Sequence, residues 1–207
     1  RLMLNIDPAL PALHRLPWER LYYPLGSQWL PLAAAPGIVF SRLLQSAQPW
    51  GQSLDSGRIK ILLVISSPFP ESSNLYVDAA QEEHALREIW DQYPTEIEIE
   101  VLAGAISAQQ MASRLAAPGS SFDILHYVGH GEWREAQQSG YLILSKQYAD
   151  GSIGPDGVSA QQLTQLFSAG AHLPQLIFLG ACESGQQSSL DAFRGVGPQL
   201  VQAGCPA

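Results

Sequence analysis

The rhythm of apolar residues changes near residue 58. Up to residue 40 they come in short runs cut by prolines: Leu2-Met3-Leu4, then Leu16-Pro17-Trp18-Glu19-Arg20-Leu21-Tyr22-Tyr23-Pro24, then Trp29-Leu30-Pro31-Leu32. Proline cannot donate to a β ladder and is confined to edges and turns, so these runs predict short edge strands rather than long helices. Residues 45–58 are polar with Gly and Ser, which predicts a linker. The expected organisation is a small β-rich lead-in and linker over 1–57 and a main domain over 58–207.

From Arg58 onward the pattern alternates between strand and helix. Ile59-Lys60-Ile61-Leu62-Leu63-Val64-Ile65 is a continuous β-branched and apolar run, as expected of a strand covered on both faces in a parallel sheet. Asp78 to Tyr93 predicts a helix with Ala79, Leu86, Ile89, Trp90 and Tyr93 near one face. Ile97, Ile99 and Val101 alternate with Glu96, Glu98 and Glu100, which predicts a strand close to the sheet edge. Ser107 caps a helix carrying Met111 and Leu115 that stops at Pro118-Gly119. A third strand, Phe122 to Val128, runs into Gly129-His130-Gly131, and Tyr141 to Leu144 predicts a short hairpin strand. Lys146 to Val158, rich in Gly, Asp and Ser, predicts an exposed loop; it and Glu132 to Gly140 are the expected mobile segments. Ser159 caps a helix through Leu163, Leu166 and Phe167, and Gln175 to Leu179 is a further buried strand entering Gly180-Ala181-Cys182. A last helix, interrupted at Gly197-Pro198, carries Phe193, Leu200 and Val201. Strands alternating with helices predict an α/β domain around a mainly parallel sheet.

Composition then narrows the function. Eleven Lys and Arg stand against 19 Asp and Glu, a net charge of −8. The two lysines, Lys60 and Lys146, and the arginines are scattered singly, so no basic stripe exists and nucleic acid is not expected as a partner. The longest apolar runs, Ile61–Ile65 and Leu176–Leu179, are far short of the roughly 20 residues of a membrane span. No signal sequence opens the chain, and Cys182 and Cys205 do not make a disulfide framework. A cytoplasmic protein with no membrane partner is expected. Charged residues are only 14%, against about 25% in ordinary soluble domains. With a start at Arg1 and an end in Gly204-Cys205-Pro206-Ala207, this predicts a piece of something larger, its C-terminal part missing and apolar surface covered by other parts.

Functional groups in open α/β sheets gather beyond the carboxyl ends of the strands. Two such ends carry reactive residues here, His130 and Cys182, each among glycines that permit close backbone approach. A thiol becomes a useful nucleophile near neutral pH when a base adjoins it, and His130 serves if the two strands are neighbours. Backbone amides around Gly131 and at Cys182 would then face a developing oxyanion. Taken singly, each has a plainer reading: an inert core cysteine and a loop histidine. Their joint occurrence at two strand ends points to chemistry.

The segments Phe122-Asp123-Ile124-Leu125-His126-Tyr127-Val128-Gly129-His130-Gly131 and Leu179-Gly180-Ala181-Cys182-Glu183-Ser184-Gly185 resemble the two signatures of CHAT domains. These are caspase-like domains, often joined to tetratricopeptide repeats, in the group of cysteine proteases that holds caspases, separases and metacaspases. The resemblance reaches upstream to Leu16-Pro17-Trp18-Glu19-Arg20-Leu21, and the separation of His130 and Cys182 matches the His-then-Cys spacing of roughly 50 in caspases. It implies a caspase-like three-layer α/β sandwich around a mainly parallel sheet, with the small N-terminal β-rich lead-in beside it. By the same resemblance His130 is the general base and Cys182 the nucleophile of peptide-bond hydrolysis in a protein substrate, with no cofactor. The alternative is a catalytically silent caspase-like scaffold.

Two departures from the family pattern matter. Caspases place Gln two residues before the Cys and Arg just after it; here these are Gly180 and Glu183, and the Ser66 to Asn74 loop has no Arg. A pocket for aspartate needs cationic partners, so aspartate is not expected before the cleaved bond. Glu183 stands either as a pocket residue favouring a basic side chain or as a solvated turn carboxylate. Trp133, three residues after His130, is read either as a core or interface aromatic or as a groove-lining one. The family continues past residue 207 into another strand and more helices, so another domain or chain, tetratricopeptide repeats among the candidates, is expected to complete the sheet.

Other candidates are weaker. Asp123 lies at the far end of the His130 strand, more than about 20 Å away, and is expected to cap the strand entrance. His126 lies about 13 Å from His130 and is expected to be a packed or hydrogen-bonded core histidine. His14, His84 and His172 have no ligand spacing, so no metal is expected. Neither phosphate-binding glycine motif follows a strand.

Overall fold

The computed structural model describes residues 2–7, 10, 13, 16–35, 37–43, 57–118, 121–137, 139–168, 174–181, 196, 197 and 200. It divides into two compact units, residues 1–47 and 48–207.

In the first unit, β1 (Leu2–Asn5) pairs in parallel with β4 (Phe40–Leu43), and β2 (Tyr22–Leu25) forms an antiparallel hairpin with β3 (Gln28–Pro31). The hairpin closes through Gly26 at φ 62°, a left-handed position that glycine takes without steric cost. The prolines lie where a missing N–H is harmless: Pro17 ahead of a 3-10 turn over Trp18–Arg20, and Pro24 and Pro31 in the two-stranded hairpin.

The second unit is an α/β domain of six strands and, among the described residues, three helices. Its elements are β5 (Ile59–Ser66), α1 (Ala79–Trp90), β6 (Ile97–Gly104), α2 (Ala108–Leu115), β7 (Ile124–Arg134), β8 (Ser139–Gln147), β9 (Ile153–Ser159), α3 (Ala160–Ser168) and β10 (Leu176–Ala181). β6, β5, β7 and β10 run parallel, with β5 and β10 both pairing with the first half of β7. Beyond that half, β7 pairs antiparallel with β8, and β8 with β9.

Strand parity divides the core into two layers. Leu62 and Val64 of β5 and Leu125 and Tyr127 of β7 face α2 and α3, meeting Met111, Leu115, Leu163 and Phe167. Leu63, Ile65 and Val128 face the other way, toward Val77 and the α1 residues Ala79, Leu86 and Trp90. Helices on both faces of the sheet make the three-layer, caspase-like architecture expected from the sequence. Both N-terminal boxes are formed: Ser107 with Gln110 ahead of α2, and Ser159 with Gln162 ahead of α3.

Four sequence expectations need correction. Gln175 to Leu179, expected as a buried strand, leaves Leu176 43% and Phe178 53% exposed, β10 pairing with β7 alone among the described residues. Within Asp78 to Tyr93, only Ala79, Leu86 and Trp90 pack on the core; Ile89 is 56% exposed and Tyr93 51%. A helix resting on a twisted sheet buries a narrow stripe, and Ile89 falls off it. Lys146 to Val158 is not a loop: it holds the end of β8, a tight turn with Gly151 at φ 82°, and β9. Its glycines misled because Gly157 is accommodated inside β9, where the Arg134 guanidinium lies over the space a Cβ would enter. Pro155 is tolerated because β9 pairs with β8 on one side alone among the described residues. Finally, the third strand does not stop before Gly129-His130-Gly131 but continues to Arg134. Glu132 to Gly140 is thus mainly the β7–β8 hairpin.

Candidate active site

His130 stands at the point where β7 changes partners. Pairing with β5 ends at Ile65↔Val128, pairing with β10 ends at Ala181↔Gly129, and pairing with β8 begins at His130↔Ile143. Neither Gly129 nor Gly131 has a positive φ, so the extended strand passes through both. His130 shares its face with His126 and Val128, the face covered by α1.

The loop from Ser67 to Asp78, between β5 and α1, delivers the partners of the imidazole. Nε2 of His130 lies 2.7 Å from the Leu75 carbonyl oxygen. A carbonyl oxygen only accepts, so this bond requires the hydrogen on Nε2 and leaves the lone pair on Nδ1. The Phe69 ring stands edge-on to the imidazole at 5.6 Å and 82°. The loop is held by its own bonds: Ser67 N to Gly104 O at 2.8 Å, Ser67 Oγ to Val77 O at 2.6 Å, and Leu75 N to Ser73 Oγ at 3.1 Å. One imidazole nitrogen is thus anchored on backbone, with Nδ1 as the remaining acceptor position of that tautomer.

Behind His130 lies a buried polar knot. The Tyr127 hydroxyl is 2.9 Å from His130 O and 3.0 Å from Ile143 O, and Ser66 Oγ donates to Ile143 O at 2.9 Å. Further along β7, Arg134 is bonded to Glu132 through Nη2 at 3.0 Å and Nε at 3.2 Å, and stacks over Tyr141 at 4.2 Å. Its pKa is raised chiefly by that carboxylate hydrogen bond. The charge nearest the site on this strand is therefore already paired.

The other sequence candidates separate clearly. Cys182 and Glu183 lie outside the described residues, as does the side chain of Trp133; Gly131 pairs with Leu142 in the β7–β8 ladder. Asp123 caps the strand entrance as expected: its carboxylate accepts from Lys60 N at 2.7 Å, and its backbone O accepts from Gln175 N at 2.8 Å. His126 is packed edge-on between Trp90 (5.5 Å) and Phe178 (4.6 Å), and burial pushes its pKa down. A Cβ on Gly180 would sit 3.3 Å from Tyr127 O, 3.5 Å from His126 Nε2 and 3.6 Å from Phe178. His84 is exposed on α1 beside Glu88, and His14 and His172 lie outside the described residues. Among the described residues no group of three His, Cys, Asp or Glu could hold a metal ion, and no helix is long and apolar enough to cross a membrane.

Sequence reasoning missed Phe69, Leu75, Ser66 and Tyr127. The β5–α1 loop was legible only as an arginine-free segment. Its carboxyl-end position on the strand next to β7 was the signal that it borders His130.

The family model described as CHAT domain matches residues 1–207, the full chain. A search of curated proteins finds no match.

Proposed function

The chain belongs to the CHAT domain family, a caspase-like, protease-related domain, and from that premise we propose that it is a cysteine endopeptidase acting through His130 and Cys182 on a protein substrate. One observation carries the reading: Ala181, where β10 ends, pairs with Gly129, and Cys182 and His130 are the residues that follow these two in sequence. Paired strands run about 4.8 Å apart, so the chain leaves Ala181 and Gly129 from neighbouring points, which supports a meeting of thiol and imidazole. The Leu75 contact adds to it by leaving Nδ1 as the proton acceptor.

In this mechanism Nδ1 of His130 takes the thiol proton and the Cys182 thiolate attacks the carbonyl carbon of the scissile bond. The oxyanion is met by backbone amides at Gly131 and Cys182. The C–N bond breaks as His130 returns its proton to the leaving amine. Water, giving a proton to the same nitrogen, then hydrolyses the thioester and frees the thiol. The arrangement needs no cofactor. Gly180 and Glu183, standing where caspases carry Gln and Arg, support a cleavage preference other than aspartate; Glu183 and Trp133 are the proposed pocket residues. Tetratricopeptide repeats or another domain are the proposed partners.

The test is a fluorogenic peptide panel with matched variants. Cys182→Ala abolishes cleavage and His130→Ala lowers it by about 100-fold to 10,000-fold, the contribution of a positioned base. Cleavage after Asp and none after Arg or Lys overturns the specificity. Unchanged cleavage by Cys182→Ala overturns the peptidase, and a biological effect that survives Cys182→Ala in a chain that cleaves nothing establishes the scaffold.

A further inference from the structure

We propose that Tyr127 is a positioning residue for His130, its phenol acting as a strut that holds the His130 peptide where β7 changes partners; this rests on His130 being the base. Between Gly129 and His130 the ladder passes from parallel to antiparallel, and regular pairing with β5 has already ended. A peptide at such a junction needs another constraint, because the orientation of residue 130 decides where its imidazole points. The Tyr127 hydroxyl supplies it, reaching three residues along its own strand to His130 O at 2.9 Å and across to Ile143 O, on the residue opposite, at 3.0 Å. Tyr127 is fully buried, where a phenol hydroxyl needs such acceptors. Ser66 Oγ, also buried, fixes Ile143 O from the end of β5, so three strands meet at one polar point.

Gly129 reports the same device. A Cβ there would lie 2.5 Å from the Tyr127 hydroxyl oxygen and 2.8 Å from Cζ. Its φ is not positive, so glycine is required for space and not for backbone conformation. The phenol end passes beside Gly129 on its way from Tyr127 to the His130 carbonyl. The chain thus needs Tyr at 127 and Gly at 129 together, and both act on the imidazole through the backbone of residue 130.

The test uses the full chain with ¹⁵N-labelled histidine. Long-range ¹H–¹⁵N spectra read the His130 tautomer, and peptide hydrolysis reads kcat and KM. Tyr127→Phe mixes the Nδ1–H form into a His130 that is Nε2–H in the parent, and lowers kcat by up to about 100-fold with KM little changed. Gly129→Ala, which keeps the phenol but pushes it off the carbonyl, does the same and carries the test if Tyr127→Phe does not fold. Leu163→Ala, in the same core on α3, lowers stability without moving the tautomer. An unchanged tautomer in the Tyr127 and Gly129 variants, or an equal change in Leu163→Ala, overturns the proposal. A chain that cleaves no peptide but shows the tautomer change refutes the peptidase and leaves the strut standing.

Discussion

Asp123 offers the sharpest test of what belongs to the fold and what belongs to the site. Its backbone N–H donates to Lys60 O at 2.8 Å, and its backbone carbonyl accepts from Gln175 and Leu176; any residue would keep these bonds. Only the carboxylate bond to Lys60 N, at 2.7 Å, depends on the side chain. A hydrogen bond to a charged group is worth about 1.5–3 kcal/mol when the partner is left half-buried and unpaired. Asp123→Ala should therefore cost about that much, a fall in melting temperature of roughly 3–12 °C at about 2–4 °C per kcal/mol for a chain of this size. Asp123→Asn keeps an acceptor without the charge and should lose about half. Urea unfolding followed by tryptophan fluorescence measures both, with the midpoint falling at unchanged slope. Asp123 lies more than about 20 Å along the strand from His130, so the His130 tautomer and the peptidase rate should not move. A loss under about 0.5 kcal/mol in Asp123→Ala, equal losses in the two variants, or a changed tautomer would each refute this account.

Two further outcomes follow from the packing. Burial holds the His126 pKa below its ordinary 6.5, so below that pH the unfolded chain binds more protons than the folded one. Stability is full above the ordinary value and falls as pH drops through it toward the folded pKa; His126→Phe, between Trp90 and Phe178, should lose less stability from pH 7 to 5 than the parent, and an identical loss would sink this reading. Gly157→Val sets a Cβ 2.5 Å from Arg134 Nη2 and should cost about 0.5–1 kcal/mol by displacing the flexible guanidinium from Tyr141 and Glu132; the added Arg134→Ala should recover part of that in a double-mutant cycle, and purely additive losses would contradict it.

The chain's own order of residues determines the layers. The unbroken apolar run of β5, the Glu-alternating pattern of β6 and the two capping boxes depend on neighbours in sequence, which is why they were readable without coordinates. The two signature segments likewise stand in plain view, because an imidazole and a thiol beside glycines are local features. Tertiary structure decided the rest. Whether Gly157 and Pro155 mark a loop or a strand depends on Arg134 and on the edge of the sheet, both remote in sequence. Whether Ile89 is buried depends on how widely the sheet touches α1. Above all, which nitrogen of His130 holds a proton is set by the carbonyl of Leu75, 55 positions earlier, and a backbone acceptor leaves no trace in residue identity. Periodicity records which face a side chain shows; only the assembled sheet records what waits there to meet it.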